Sequence, residues 1–407
     1  MYNGLITYFK MTGGWRYPTG ASGDLETMCT MDKIYWLYKT THPIKNAWRD
    51  SGLEVFFDEQ KKFQCQLPGG FEVKCELSLS SVGDLMSHPF LVNSGSDLYA
   101  LVAETIFGAD ISMANLECVI YPHASGAFTF STRSGPPLFY DSTCFNIVKG
   151  DGKRKFTFMA AACNHSLDFG LEGVSSTIQT LREEKIFFHG INEQEEDAEM
   201  ATILERNGFK IGVVASTFGL NAHIPPKNRP HIVNRAPLNA KPESSDFTLI
   251  KRQIDFCHKA KADFIIAHLH WGMEHEFYPR PEQIEVAHHL IEMGIDAIIG
   301  HHSHVIQPIE YYRTRRDSNR IAPIYYSLGN LINGFAADYL CLGLIAQLAL
   351  AKGVGLDGHE HTYVRGANYC QVRQVLDESK KIIFLHLSKP NAIPSGIQIP
   401  QRRKNAA

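Results

Sequence analysis

A chain of 407 residues, 44% hydrophobic and 20% charged, has the make-up of an ordinary folded protein, which excludes a disordered or fibrous one. Its 40 basic and 43 acidic side chains leave a net charge of −3, so nucleic acid is not the expected partner. At about 150 residues per domain, the length suits two or three domains.

Residues 1–76 are rich in aromatics, among them Tyr2, Tyr8, Phe9, Trp15, Tyr35, Trp36 and Trp48, without a clean period. They read as an N-terminal extension packed on the main body, a lid or a recognition surface for a peptide. Met1 to Arg16 shows no signal-peptide pattern. From residue 77 short apolar runs alternate with helix-period stretches. Strands are expected at 77–82, 110–114, 156–162, 210–216, 263–268, 296–299 and 322–327, with helices at 171–185, 247–260 and 283–293 between them. This βαβα order predicts an α/β domain over 77–390. Beyond residue 339 the runs 341–351, 361–364, 369–373 and 381–386 suggest terminal hairpins, and 391–407 a flexible tail. The longest apolar stretch, 339–351, falls short of the roughly 20 residues of a membrane span, so no membrane partner is expected. Nine cysteines, an odd number without a Cys-x-x-Cys pair, suit reduced thiols and a cytoplasmic setting.

Polar, metal-competent residues recur where the expected strands stop. The first ends in Gly83-Asp84-Leu85-Met86, the second in Asn115-Leu116-Glu117, and the third in Cys163-Asn164-His165-Ser166-Leu167-Asp168. Later strands deliver His268-Leu269-His270-Trp271-Gly272 and Gly300-His301-His302-Ser303-His304. Of the 19 histidines, nine fall between His258 and His304. Strand ends of an α/β sheet line one crevice, so these segments are expected to converge. A bridging carboxylate flanked by imidazole and amide donors is what a two-metal site requires, and mixed N and O donors suit Mn, Zn or Fe. His268 and His270 are expected on opposite faces of their strand, and we take His270 as the ligand. Trp271, Glu274 and His275 are expected to line the substrate cleft. Asn330 either bonds a site ligand or contacts substrate. Asp168 either orients His165 or starts the next helix. His258, His288 and His289 read as incidental, and Arg313, Arg315, Arg316 and Arg320 as a solvated loop.

Gly-Asp-Leu-Met, Asn-Leu-Glu, Asn-His-Ser-Leu-Asp-Phe-Gly, His-Trp-Gly-x-Glu, Gly-His-His-Ser-His-Val-Ile-Gln-Pro-Ile-Glu and Tyr-Ser-Leu-Gly-Asn-Leu-Ile, in this order over about 77–335, resemble the successive motifs of the CapA family. That family, named for poly-γ-glutamate capsule synthesis, belongs to the calcineurin-like metallophosphatase superfamily. The resemblance implies a four-layer αββα sandwich and two metals, one on Asp84, Glu117 and His304 and the other on Glu117, Asn164, His270 and His302. It implies His165 as the catalytic acid. We further expect Asp168 and His301 as catalytic residues and Asn115, Trp271, Glu274 and Asn330 as substrate-binding ones. Met86 stands where these phosphatases carry a histidine ligand, which implies a weak or vacant first site. Glu117 replaces a bridging Asp, and Cys163 and Ser166 replace the Gly and Glu around Asn-His.

The expected function is a CapA-like hydrolase whose metal-activated water attacks a phosphoester or peptide-like amide. The alternatives are a peptide epimerase abstracting a proton α to a carbonyl, and a non-enzymatic accessory protein of polyglutamate synthesis. The expected partner is a small-molecule or peptide substrate; the sequence leaves the oligomeric state open.

Overall fold

The computed structural model describes residues 24–121, 137–335 and 337–388. The expectations for Tyr2, Tyr8, Phe9, Trp15 and the 391–407 tail lie outside the described residues.

The N-terminal segment contributes two helices. In α1 (Thr30–Thr41), Tyr35, Tyr38 and Lys39 fall on the buried face, and the Cys29 amide donates to Asp32 at the first turn. The second, α2 (Leu53–Gln60), buries Phe57. Strand β1 (Glu72–Leu85) begins five residues earlier than expected, so a boundary after residue 76 falls inside it. Then follow β2 (Ile111–Leu116), the short pair β3 (Val119–Ile120) and β4 (Phe139–Tyr140), α3 (Ser142–Val148), β5 (Phe158–Ala160), α4 (Gly170–Glu183) and β6 (Phe187–His189). The second run comprises β7 (Thr202–Arg206), β8 (Phe209–Thr217), α5 (Thr248–Lys259), β9 (Phe264–His270), α6 (Pro281–Met293), β10 (Ala297–His301), β11 (Ile309–Arg313) and β12 (Ile321–Tyr325). It closes with β13 (Asn330–Ile332), β14 (Leu342–Val354), β15 (Glu360–Asp377) and β16 (Ile382–Ser388).

These strands form two mixed sheets. One runs β16-β15-β14-β1-β2-β5-β6, with β13 also paired to β1, and the other β11-β12-β10-β9-β8-β7. Strands β1, β2, β5 and β6 are mutually parallel, as are β8, β9, β10 and β12. The two expected runs 361–364 and 369–373 are one strand: Leu350 pairs with Val364 and Ala349 with Gly366, so Arg365 is an extra residue that breaks the pattern without ending the ladder.

Strand alternation sorts most of the buried apolar side chains into three large clusters. Leu77, Leu79, Ile111, Met113 and Phe158 of the first sheet share one with Ile211, Val213, Phe264, Ile266 and Ile299 of the second. Residues of opposite parity turn outward. Val82, Ala114 and Leu116 meet Phe145 and Val148 of α3, while Val214, Ile265, Ala267 and Leu269 meet Ile250 and Ile254 of α5 and Leu290 of α6. The chain is thus α/β, with helices outside two sheets that share a core.

Candidate metal centre

Parity also decides which polar groups reach the space between the sheets. In β9, Phe264 and Ile266 face the shared core, so His268 and His270 do too, because every second residue of a strand returns to the same face. The expectation that they face opposite ways is therefore corrected. The same rule turns Trp271 outward with Ile265, Ala267 and Leu269. Its Nε1 donates to the Tyr326 carbonyl at 3.0 Å and its ring stacks on Tyr326, so Trp271 is a core residue and not a substrate contact.

Asp84 reaches the site through an irregularity. Val82 pairs with Ala114 and Asp84 with Asn115, leaving Gly83 as an extra residue that rotates Asp84 from the outer to the inner face. Only glycine fits there, because a Cβ would sit 2.0 Å from the Gly329 carbonyl oxygen. Asp84 then accepts from Asn115 Nδ2 at 2.9 Å, with His304 Nδ1 3.3 Å away. His301 Nδ1 lies 3.2 Å from the same carboxylate without hydrogen-bond alignment. Burial opposes its ionisation, but His301 and His304 hold the Asp84 carboxyl well below its usual range.

Glu117 follows β2 and is fully buried, yet neither carboxylate oxygen has a hydrogen-bond partner. His270 Nε2 and His304 Nε2 both stand 3.6 Å from its Oε1. Burial first, then the Asp84 and Glu274 charges, push the Glu117 carboxyl well above its usual range. His302 is buried with an unpartnered Nδ1. Burial holds His268, His270 and His302 well below the usual imidazole range, which keeps their ring lone pairs available. His302 and His304 adopt left-handed φ of 86° and 57°, conformations that cost about 1–3 kcal/mol each and cluster at functional sites.

Three groupings have ligand atoms mutually within 4.8 Å: Asp84–Glu117–His304, Glu117–His270–His302 and Glu274–His302–His304. Glu117 belongs to both of the groupings expected from the sequence. The fit to a divalent ion rests on the orphaned oxygens of Glu117 and the orphaned Nδ1 of His302, since a buried polar atom without a partner costs about 1–3 kcal/mol. Among the described residues nothing else satisfies them.

Asn164 and His165 sit on a turn closed by Ser166, whose Oγ accepts from the Cys163 amide at 2.8 Å and donates to the Ala161 carbonyl. Asn164 Oδ1 lies 2.9 Å from His270 Nε2, and its Nδ2 donates to Asn221 Oδ1 at 3.1 Å. Asn221 Nδ2 in turn lies 3.3 Å from His165 Nε2. On the other side of that ring, His165 Nδ1 meets Asp168 Oδ2 at 2.7 Å. Asp168 thus orients His165, while Phe169 stands at the start of α4. Burial opposes it, but His165 and His223 hold the Asp168 carboxyl below its usual range.

Several expected site residues lie beneath the centre. Asn115 contacts Asp84 and, at 3.4 Å, His270. Asn330 Oδ1 meets His304 Nδ1 at 3.0 Å and its Nδ2 donates to two backbone carbonyls. Both are buried and bond ligands, so neither is a substrate contact. His301, assigned a catalytic role from the sequence, is fully buried and stacked on His268. It supports Asp84 from below and cannot reach a substrate. Arg316 and Arg320 pair with Asp296 instead of forming a free basic loop.

Glu274, His165 and Phe335 retain exposure and mark the open side. Phe218, its ring 4.5 Å from His302 centre to centre, Asn221 and His223 were not singled out from the sequence, and Trp36 was named only among the aromatics of the N-terminal extension. Phe218 directly follows β8 but carries no metal-competent group, and only the fold brings the others near.

Two sheets that converge carboxylates and histidines from the ends of parallel strands define an α/β protein with a buried, metal-competent centre. The family described as bacterial capsule synthesis protein PGA_cap matches residues 78–335, and the chain belongs to that family, the CapA family of the metallophosphatase-like superfamily. It is 29% identical to the capsule biosynthesis protein CapA of Bacillus anthracis over 46% of this chain and 42% of that protein. It is 26% identical to the PGA biosynthesis protein CapA of Bacillus subtilis over 63% of each chain. A probable polyglutamine synthesis accessory protein of Mycobacterium tuberculosis is 28% identical over 56% of each. The chain thus spans less than two thirds of the length of each of these relatives.

Proposed function

We propose that this protein is a metal-dependent hydrolase that splits a phosphoester or a peptide-like amide bond with water. The supporting observation is a buried centre with orphaned Glu117 oxygens beside a partly exposed His165–Asp168 pair. Asp84, Glu117, Asn164, His270, His302 and His304 would hold the ions, Mn, Zn or Fe by their donor chemistry. Bound ions of this kind polarise a substrate oxygen and acidify water.

The remaining work belongs to the chain. Asp168 accepts the Nδ1 proton of His165, and Asn221 Nδ2 donates toward Nε2, which suits an imidazole whose Nε2 is free to take a proton. Nε2 takes a proton from solvent and gives it to the leaving group as the bond to that group breaks, while the oxygen of the attacking water bonds to phosphorus or to the carbonyl carbon and the water's own proton passes to solvent. Asp168 stabilises the imidazolium in between. The two sheets with helices outside them support the four-layer αββα sandwich of the calcineurin-like type. Nine free cysteines support a reducing, cytoplasmic setting. No described helix is long and apolar enough to cross a membrane.

A second reading, an accessory role in polyglutamate synthesis, is favoured by the names of the relatives. Chelator-stripped protein reloaded with Mn or Zn and assayed on phosphoesters and glutamyl peptides separates the two. Metal-dependent turnover, lowered roughly 100-fold or more in His165→Asn, supports hydrolysis. Polyglutamate binding without turnover supports the accessory role. Deuterium uptake from heavy water without cleavage would instead point to proton abstraction at an α carbon.

A further inference from the structure

We propose that Glu274 is itself a ligand of the metal centre and that Trp36 of α1 holds its carboxylate in position. This rests on the reading of the buried cluster as a metal site and adds a ligand and an N-terminal support to it.

The ligand atoms of Glu274, His302 and His304 lie within 4.8 Å of one another, as do those of Asp84–Glu117–His304 and of Glu117–His270–His302. His302, whose buried Nδ1 has no hydrogen-bond partner, belongs to this grouping. Met86, at the position of a lost histidine, offers only a thioether, a poor ligand for hard ions. Glu274 brings a carboxylate to His302 and His304 from the loop that follows β9.

Its position is fixed from outside the core. Trp36 Nε1 donates to Glu274 Oε2 at 2.6 Å, and His275 Nε2 stands 3.8 Å from the same oxygen. The loop carrying Glu274 turns through Gly272 and His275, both at positive φ, and α1 and the residues after it clamp it. Lys39 Nζ and Tyr35 Oη both bond Glu276 Oε1, at 2.8 and 3.3 Å, while the Ile44 amide donates to the His275 carbonyl and the Phe277 amide to the Ile44 carbonyl, each at 2.9 Å. Trp36 therefore does for Glu274 what Asn330 does for His304: it bonds the ligand's outer side and restricts its orientation. Trp36 lies outside the matched family region 78–335, so a segment beyond that match shapes the centre.

Stripped full-length protein is titrated with Co(II), reading both affinity and the visible absorption band of the bound ion. Glu274→Gln is expected to bind Co(II) about 100-fold more weakly with an altered band, and Trp36→Phe about tenfold more weakly with the wild-type band. Thermal melts of metal-free protein check that both variants fold, and His302→Ala serves as the control. An unchanged band in Glu274→Gln, whatever its affinity, overturns Glu274 as a ligand, and wild-type affinity in Trp36→Phe overturns the support. If His302→Ala loses Co(II) while Glu274→Gln matches wild type, only this proposal fails. If wild type itself binds no Co(II), the metal reading fails and takes this proposal with it.

Discussion

Gly83 sets which way Asp84 faces, and its replacement makes a sharp test. A Cβ at Gly83 would meet the Gly329 carbonyl oxygen at 2.0 Å, so the backbone must shift where β1 carries its only ligand. Gly83→Ala is expected to cost about 2 kcal/mol or more of stability and to weaken metal binding, measured by denaturant melts and metal titration; wild-type values on both would remove the role given to this glycine. Asn330→Ala removes the acceptor that faces His304 Nδ1. Its metal affinity should fall about 10–100-fold. At this scale the candidate ligands were legible as motifs, because Asp84, Glu117, Asn164, His270, His302 and His304 all lie in short polar runs at strand ends. Asn221, Phe218 and Trp36 were not, since each arrives from a segment whose local pattern says nothing about its tertiary neighbour.

Among the elements, β9 shows how much a period-two reading yields when the parity is followed through. Phe264, Ile266, His268 and His270 share the inner face, where apolar residues give way to histidines toward the strand end, and Ile265, Ala267, Leu269 and Trp271 share the outer, against the helices. Helices α4, α5 and α6 were legible from their apolar spacing. Helices α1 and α2 were not, because their aromatic segment lacks a clean period and depends on contacts with distant residues. The main such contact is Glu276, buried between Lys39 of α1 and Arg280. Although burial opposes it, Arg280 and Lys39 hold the Glu276 carboxyl down at about 2. Glu276→Gln removes the buried charge that Lys39 and Arg280 share and should cost about 3–5 kcal/mol, seen as a lower melting temperature and easier proteolysis of the N-terminal segment. A melting temperature equal to wild type would show that α1 is held by something else.

For the whole molecule, a buried histidine that is not among the candidate ligands couples folding to pH. His189 is buried where its Nε2 meets the Met200 carbonyl at 2.8 Å and its Nδ1 accepts from the Ala215 amide at 2.8 Å. Burial lowers it from 6.5 to about 4, so between those values the unfolded chain binds the extra proton and the folded chain does not. Its contribution is present above about pH 6.5 and is lost as pH falls toward 4, by about 3 kcal/mol. Denaturant melts at pH 7 and pH 4.5 should show a smaller loss for His189→Gln than for wild type; equal losses would assign the acid sensitivity elsewhere.

If the buried carboxylates and histidines hold metal as proposed, the protein retains ions through purification. Elemental analysis of the full-length protein after incubation with Mn or Zn and gel filtration should find at least one ion per chain. An Asp84→Asn, His302→Ala double variant that remains folded should retain at least tenfold less. Equal retention by wild type and double variant, or none by wild type, would contradict the account.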